Sequence, residues 1–334
     1  MTERILVVGP SWVGDMVMSQ VLYKQLRKRW SDCEIDVLAP PASLPMVSRM
    51  AEVNRGIKFE LAHGELGLGK RFAFGEALKK NQYTRSITLP NSLKSALVPF
   101  AAEIPIRTGF RGEYRYFLIN DMRLLSKYRL PKMIDRFGVL GTKEGNEAPE
   151  QIDWPSLFID DENQTQLIEK FGLSLDQPIL GLCPGAEFGD AKKWPTTHYS
   201  ELSRIALGKG YQVWIFGGSA DVETATEIAA GRDGIVNLAG QTSLLDAVDL
   251  LGLCRQVVSN DSGLMHIAAA VGVHTTVIYG STSPGFTPPL TDKLDIVSLD
   301  LECSPCFKRV CPLSHKNCLI DLSADLIPLA EVSG

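Results

Sequence analysis

Three glycine-bearing loops, 185–189, 217–221 and 260–263, each follow a short apolar run and lead into a helix-like segment. Short β-branched runs such as Thr275–Tyr279 read as buried parallel strands. In a doubly wound sheet the loops that follow such strands emerge on one edge, where these sheets place their ligands. The stretch from Val257 to Pro284 carries the unit most fully. A strand ends at Asn260-Asp261-Ser262-Gly263, which is turn and helix-cap chemistry. A helix from Leu264 to Val271 and the strand Thr275–Tyr279 follow. Backbone amides of Asp261–Gly263 at a helix N-terminus suit a phosphate or another anion. Gly263 admits a ligand close to the backbone, and His266 lies one turn into the helix. The plain alternative is a capped αβ unit with a packed histidine.

The N-terminal half opens the same way. Ile5–Gly9 reads as a strand and Met16–Arg29 as a helix, with Gly14 and Asp15 in the turn between. That turn lacks both the three-glycine dinucleotide fingerprint and the Gly-Lys-Ser/Thr of a P-loop. Asp15 suits either a helix cap or a general base reaching into a ligand cleft. Strands over Glu34–Ala39, Gly56–Leu61 and Arg85–Leu89 alternate with helices over Leu44–Met50, Arg71–Gln82 and Leu93–Ala102. From Lys94 to Arg136 the chain turns basic, with Lys94, Arg107, Arg111 and Arg115 among interleaved Tyr114, Tyr116, Phe117 and Tyr128. A charge run is ordinarily a solvated face. Paired guanidiniums in a turn-like Arg107–Gly112 favour a pocket for a phosphorylated or carboxylated substrate. A patch that meets an anionic membrane surface is the other expectation.

At 334 residues the chain suits two domains. The polar segment Lys143–Asp153 reads as a linker, and the division is placed at residues 1–165 and 166–334. A net charge of −5 speaks against nucleic acid as a partner. No apolar run is long enough to span a bilayer. MTERILVVGP has no leader pattern, so the expected place is the cytoplasm.

In the second half Pro178–Pro184 and Gln212–Phe216 are strands, and Lys192 and Lys193 follow the first glycine loop. A lysine reaching back over such a loop suits a diphosphate. Three glycine loops on one edge argue for a nucleotide or nucleotide-sugar and raise the standing of Lys192, Asp261 and His266. Two βα-repeat domains, each presenting a loop edge, predict an α/β fold of two Rossmann-like domains facing across a cleft, the GT-B architecture.

GPSWVGDMVMSQ (9–20), LPNSLKSALVPF (89–100), RTGFRGEYRY (107–116), CPGAEFGDAKKWP (183–195), FGG with Asp221, NDSGLMHIAAA (260–270) and TPPL (287–290) occur in this order. In them the chain resembles the heptosyltransferases of glycosyltransferase family 9, over about residues 4–300. The resemblance implies an N-terminal acceptor-binding domain and a C-terminal nucleotide-sugar domain, with a tail that packs back on the first. It implies ADP-L-glycero-β-D-manno-heptose as donor and phosphorylated lipopolysaccharide inner core as acceptor. The implied reaction is an inverting transfer onto the first heptose, with no metal or cofactor required. Transfer of a first heptose onto Kdo2-lipid A is the alternative, and a nucleotide-sugar 2-epimerase a more distant one. Asp15 matches the family's general base, and Lys192 the partner of the departing diphosphate. Gly14, Gly185, Ala186, Gly217, Asp261, Ser262, Gly263, Leu264 and His266 match donor-contacting motifs. Lys94, Arg107, Arg111 and Arg115 are assigned to the acceptor. Peripheral contact with the cytoplasmic face of the inner membrane is a further expectation.

The tail departs from this pattern. Cys303, Cys306, Cys311 and Cys318 read C-x2-C-x4-C-x6-C, with His315 inside. Type and count fit a structural zinc knot. The spacing is irregular for the common classes; the alternatives are disulfides, which a cytoplasmic setting disfavours, and reduced thiols. Cys33, Cys183 and Cys254 stand alone in apolar segments as small core residues.

Overall fold

The computed structural model describes residues 2–61, 65–143, 147 and 149–331. The chain divides into two compact units, Met1–Pro155 and Ser156–Gly334. Of the expected linker, residues 144–146 and 148 lie outside the described residues.

In the first unit, β1 (Arg4–Val8), β2 (Glu34–Ala39), β3 (Arg55–Lys58), β4 (Arg85–Thr88), β5 (Ile106–Phe110) and β6 (Asp121–Arg123) form one sheet, in the order β3-β2-β1-β4-β5-β6. Every described pairing is parallel. Helices α1 (Val13–Arg29), α2 (Leu68–Leu78), α3 (Leu97–Ala101) and α4 (Met133–Val139) lie between the strands in sequence. From Ile5 to Val8 β1 is apolar and buried because both faces of a central parallel strand are covered. Leu6, Val8 and Leu38 pack with Leu78, Tyr83, Val98 and Ile104 into a core on one side of the sheet.

Two details correct the sequence expectations. α1 begins at Val13 rather than Met16, with Trp12 at the N-cap position, so Asp15 sits in the first helical turn and is not the cap. The segment read as a turn from Arg107 is β5, with Thr108, Gly109 and Phe110 buried. Gly109 suggested a turn, but it lies mid-strand, where a Cβ would come within 3.3 Å of the Thr88 carbonyl oxygen. The close approach of two backbones, not a turn, selects glycine there.

The second unit repeats the plan. β7 (Ile179–Cys183), β8 (Gln212–Ile215), β9 (Ile235–Asn237), β10 (Gln256–Asn260), β11 (His274–Tyr279) and β12 (Leu294–Ser298) pair in the order β12-β11-β10-β7-β8-β9. α5 (Asp161–Phe171), α6 (Thr196–Gly208), α7 (Val222–Ala229), α8 (Leu244–Leu251), α9 (Gly263–Ala270) and α10 (Asn317–Ile320) complete it. In each sheet the order reverses at one place, between β1 and β4 and between β7 and β10. Ligands of open α/β sheets gather at such switch points.

The units divide before α5, not within it at residue 165. Asp249 of α8, fully buried, accepts from the Asp160 amide (2.9 Å) and from Asn163 Nδ2 (2.7 Å). Its carbonyl accepts from Gln164 Nε2 at 2.8 Å. A buried carboxylate needs such partners, and they bind α5 to α8. The tail, expected to pack back on the first domain, is built into the second unit. Leu319, Leu322, Ala324 and Ile327 join Leu180, Trp194 and Tyr199 in its core. The Leu322 carbonyl accepts from Trp194 Nε1 at 2.8 Å, and the Ala330 carbonyl from the Tyr211 hydroxyl at 2.6 Å. Among the described residues no helix is long and apolar enough to cross a membrane.

Candidate active site

At the second switch point the loops after β7 and β10 are tied together. Asn260, the last residue of β10, donates from Nδ2 to the Pro184 carbonyl at 2.6 Å and accepts the Trp194 amide at 3.1 Å. Beside it Lys192 Nζ meets Asp261 Oδ2 at 2.6 Å, with side chains 14% and 6% exposed. The same carboxylate oxygen accepts from the Thr282 hydroxyl at 2.6 Å. Lys192 Nζ also lies 5.0 Å from the centre of the Phe188 ring, within cation–π range. A nearly buried ammonium is thus held on the ligand edge with its position set in advance.

Ser262 is the N-cap of α9, and its side chain makes no cap hydrogen bond. Its hydroxyl lies 3.2 Å from that of Ser259 instead. Gly263 and Leu264 open the helix. Loop and helix therefore present main-chain donors beside Lys192, an arrangement receptive to an anion. His266 is 5% exposed. Burial lowers its pKa to about 4, against an opposing pull from Asp261 and with a smaller push from Lys192. The imidazole is neutral at physiological pH.

The loop after β8 closes the other side. Asp221 Oδ2 accepts the Gly218 amide at 2.9 Å. A Cβ on Gly185 would stand 2.5 Å from Asp221 Oδ2, and one on Gly217 would stand 2.7 Å from Asp221 Cβ. Both glycines are explained by the carboxylate lying against them. Ala186, next to Gly185, is half-buried. The structure thus brings together Gly185, Ala186, Lys192, Gly217, Asp261, Ser262, Gly263, Leu264 and His266 on the edge of the second sheet. Thr282 and Asn260 complete the constellation. The signal for Thr282 was present in sequence: it follows Gly280-Ser281 directly after the end of β11, the next strand in order.

On the first sheet, Gly14 and Asp15 sit half-buried at the start of α1, after β1. The loop after β4 carries half-buried Lys94, and the loop after β5 carries exposed Arg111. These come from adjacent strands and share one edge. Arg107 and Arg115 differ from their expected role. Arg115 is 1% exposed and donates to the carbonyls of Pro90 (2.7 Å) and Phe110 (2.6 Å) and to Asn91 Oδ1 (3.1 Å). It clamps the β4 and β5 loops together from inside. Arg107 donates to the carbonyls of Ile104 (2.6 Å) and Leu118 (2.7 Å). Burial lowers the pKa of both guanidiniums. Side-chain burial of this kind cannot be read from the spacing of charges.

Comparison with known proteins shows the family of the chain. The sequence profile of glycosyltransferase family 9 (heptosyltransferase) matches residues 71–317. Lipopolysaccharide heptosyltransferase 2 of Salmonella typhimurium is 46% identical over 306 residues, covering 89% of this chain and 88% of that protein. The protein of the same name from Escherichia coli K12 matches equally. The solved structure of E. coli ADP-heptose lps heptosyltransferase II matches with a TM-score of 0.87 at 42% identity, covering 96% of this chain and 95% of that one. The two-sheet α/β plan is the GT-B fold of such heptosyltransferases. On this coverage the chain belongs to glycosyltransferase family 9, the heptosyltransferases, and is an enzyme of that class.

Proposed function

We propose that the protein transfers L-glycero-D-manno-heptose from ADP-heptose onto the first heptose of the lipopolysaccharide inner core, with inversion at the anomeric carbon. The observation that carries this reading is the Lys192–Asp261 pair at the switch point, in a chain 46% identical to lipopolysaccharide heptosyltransferase 2. In this reading the diphosphate lies against Lys192, the amides of Ser262–Leu264 and the Gly185-Ala186 backbone, with Gly217 beside it. Lys192 then neutralises the charge that grows on the departing ADP, worth most in a site shielded from water. His266, neutral, offers a ring nitrogen to the donor sugar.

Asp15 is the general base. It takes the proton of the acceptor hydroxyl as the oxygen attacks, and Gly14 beside it lets the donor come close to the backbone. One base and no protein nucleophile suffice for an inverting displacement. The reaction uses no metal or other cofactor. Lys94 and Arg111 meet acceptor phosphates. The exposed Tyr114, Phe117 and Tyr128, interleaved with lysines and arginines, support peripheral contact with an anionic membrane surface from the cytoplasmic side.

The test is transfer from ADP-heptose to truncated lipopolysaccharide bearing one heptose, with no divalent cation added. The expected result is transfer by the native protein, no gain on adding Mg²⁺, and a loss of about 10²- to 10⁴-fold in Asp15→Ala with ADP affinity kept. Equal rates in native and variant protein would return Asp15 to a first-turn acid that complements the helix dipole. Folded protein that binds ADP and transfers nothing to this acceptor would reject the acceptor assignment alone.

A further inference from the structure

The donor edge makes no use of the cysteine motif in the tail, yet the fold gathers it. Cys303, Cys306, Cys311 and Cys318, with His315, line one cavity of about 20 Å³. All four are unbridged. The Ser314 amide donates to the Cys311 carbonyl at 3.2 Å, closing a turn inside the motif. Phe307, directly after Cys306, has φ 54°, and Ser314 and Lys316 have φ 61° and 52°. Left-handed backbone at non-glycine residues costs free energy and persists where the surroundings demand it. From 303 to 318 the chain carries Lys308, Arg309 and Lys316 and no acid. Four thiolates around a divalent ion carry a net charge of −2, which these cations offset.

Among the described residues no three ligating side chains meet at bonding distance from a common point. The four cysteines line the wall of the cavity.

We propose that these four cysteines bind one thiophilic metal ion, zinc or iron, in a four-thiolate structural site. Soft ligands in this number select such ions. The ion would clasp the loop that carries Lys192. The Arg309 carbonyl accepts the Ala191 amide at 3.1 Å, and Lys316 Nζ meets Asp190 Oδ2 at 2.9 Å. A Cβ on Gly189 would stand 2.5 Å from the Arg309 carbonyl oxygen, so that loop lies directly on the knot. On the other side Phe307 donates its amide to the Ser281 carbonyl at 2.7 Å, next to Thr282. The knot therefore braces both segments whose side chains converge on Asp261.

The first measurement is the zinc and iron content of the full chain, purified without metal-chelating resin. About one ion per chain is expected, lost in the double variant Cys306→Ser/Cys311→Ser. Should that variant not fold, Co²⁺ added to metal-depleted native protein decides. Thiolate-to-cobalt charge-transfer bands with the intense visible bands of a tetrahedral ion are the expected result. Native protein that contains no metal and gives no such bands overturns the site. So does a thiol titration in denaturant that finds these four cysteines paired as disulfides. None of these readouts depends on heptose transfer, so they stand apart from the functional assignment.

Discussion

The two sheets share a strand order and use their switch points differently. In the second unit the crevice between β7 and β10 is wired: Asp261 accepts from Lys192 and Thr282 in a nearly buried cluster, and Asn260 beside it ties the β7 loop to β10. In the first unit Asp15 and Lys94 are half-buried, Arg111 is exposed, and Tyr114 and Phe117 stand 88% and 89% exposed nearby. Arg115, beneath the loops, is buried and saturated. Buried ion pairs seldom repay their desolvation in stability, so the Lys192–Asp261 pair is better explained by the charge it positions. A diphosphate needs a fixed countercharge at one point. An acceptor carrying a large lipid-linked glycan needs an open rim.

The sharpest test of that contrast is Lys192→Ala. Removing a preorganised cation beside a leaving group costs about 10²- to 10³-fold in kcat, and steady-state kinetics should show it with weaker ADP binding. If kcat is unchanged, the wired edge is structural only. Arg115→Ala probes the other side. It orphans several buried acceptors, with an expected loss of about 3 kcal/mol in stability, measured by denaturant unfolding.

His266 predicts a pH effect confined to the second unit. Its folded pKa, about 4, lies below the ordinary value of 6.5. The neutral form is the one the fold accepts. The contribution is therefore whole above about pH 6.5, falls as the pH drops toward 4, and amounts to about 3 kcal/mol at its limit. His266→Gln should flatten the stability profile between those pH values. The smallest effect belongs to Arg111→Gln, an exposed side chain. A few-fold rise in acceptor KM with unchanged melting temperature is expected, the reverse of the pattern for Arg115→Ala. Identical behaviour of the two variants would erase the distinction between rim and clamp.

Most strands were legible because a parallel strand announces itself locally, as in Ile5–Val8 or Thr275–Tyr279, by β-branched residues ended by glycine or a polar turn. β5 was hidden because Gly109 imitates a turn, and its selection depends on the Thr88 carbonyl opposite. α4 and β6 were also missed, both short and set among charged residues. Within the site, Lys192 and Asp261 were singled out separately. Their contact, between residues 69 apart in sequence, follows only from the neighbouring positions of β7 and β10. Arg107 and Arg115 show the converse. Their charge suggested a ligand, and the loops around them made them struts.

By itself the sequence determined two βα-repeat units and the loops that bear their chemistry, because strand periodicity and glycine turns are properties of neighbouring residues. Tertiary structure decided which cations remain available, that Asp261 is shared by Lys192 and Thr282, that the tail completes the second core, and that four cysteines return to one cavity. Those outcomes depend on burial and on pairings across strands, quantities that no local window of sequence contains.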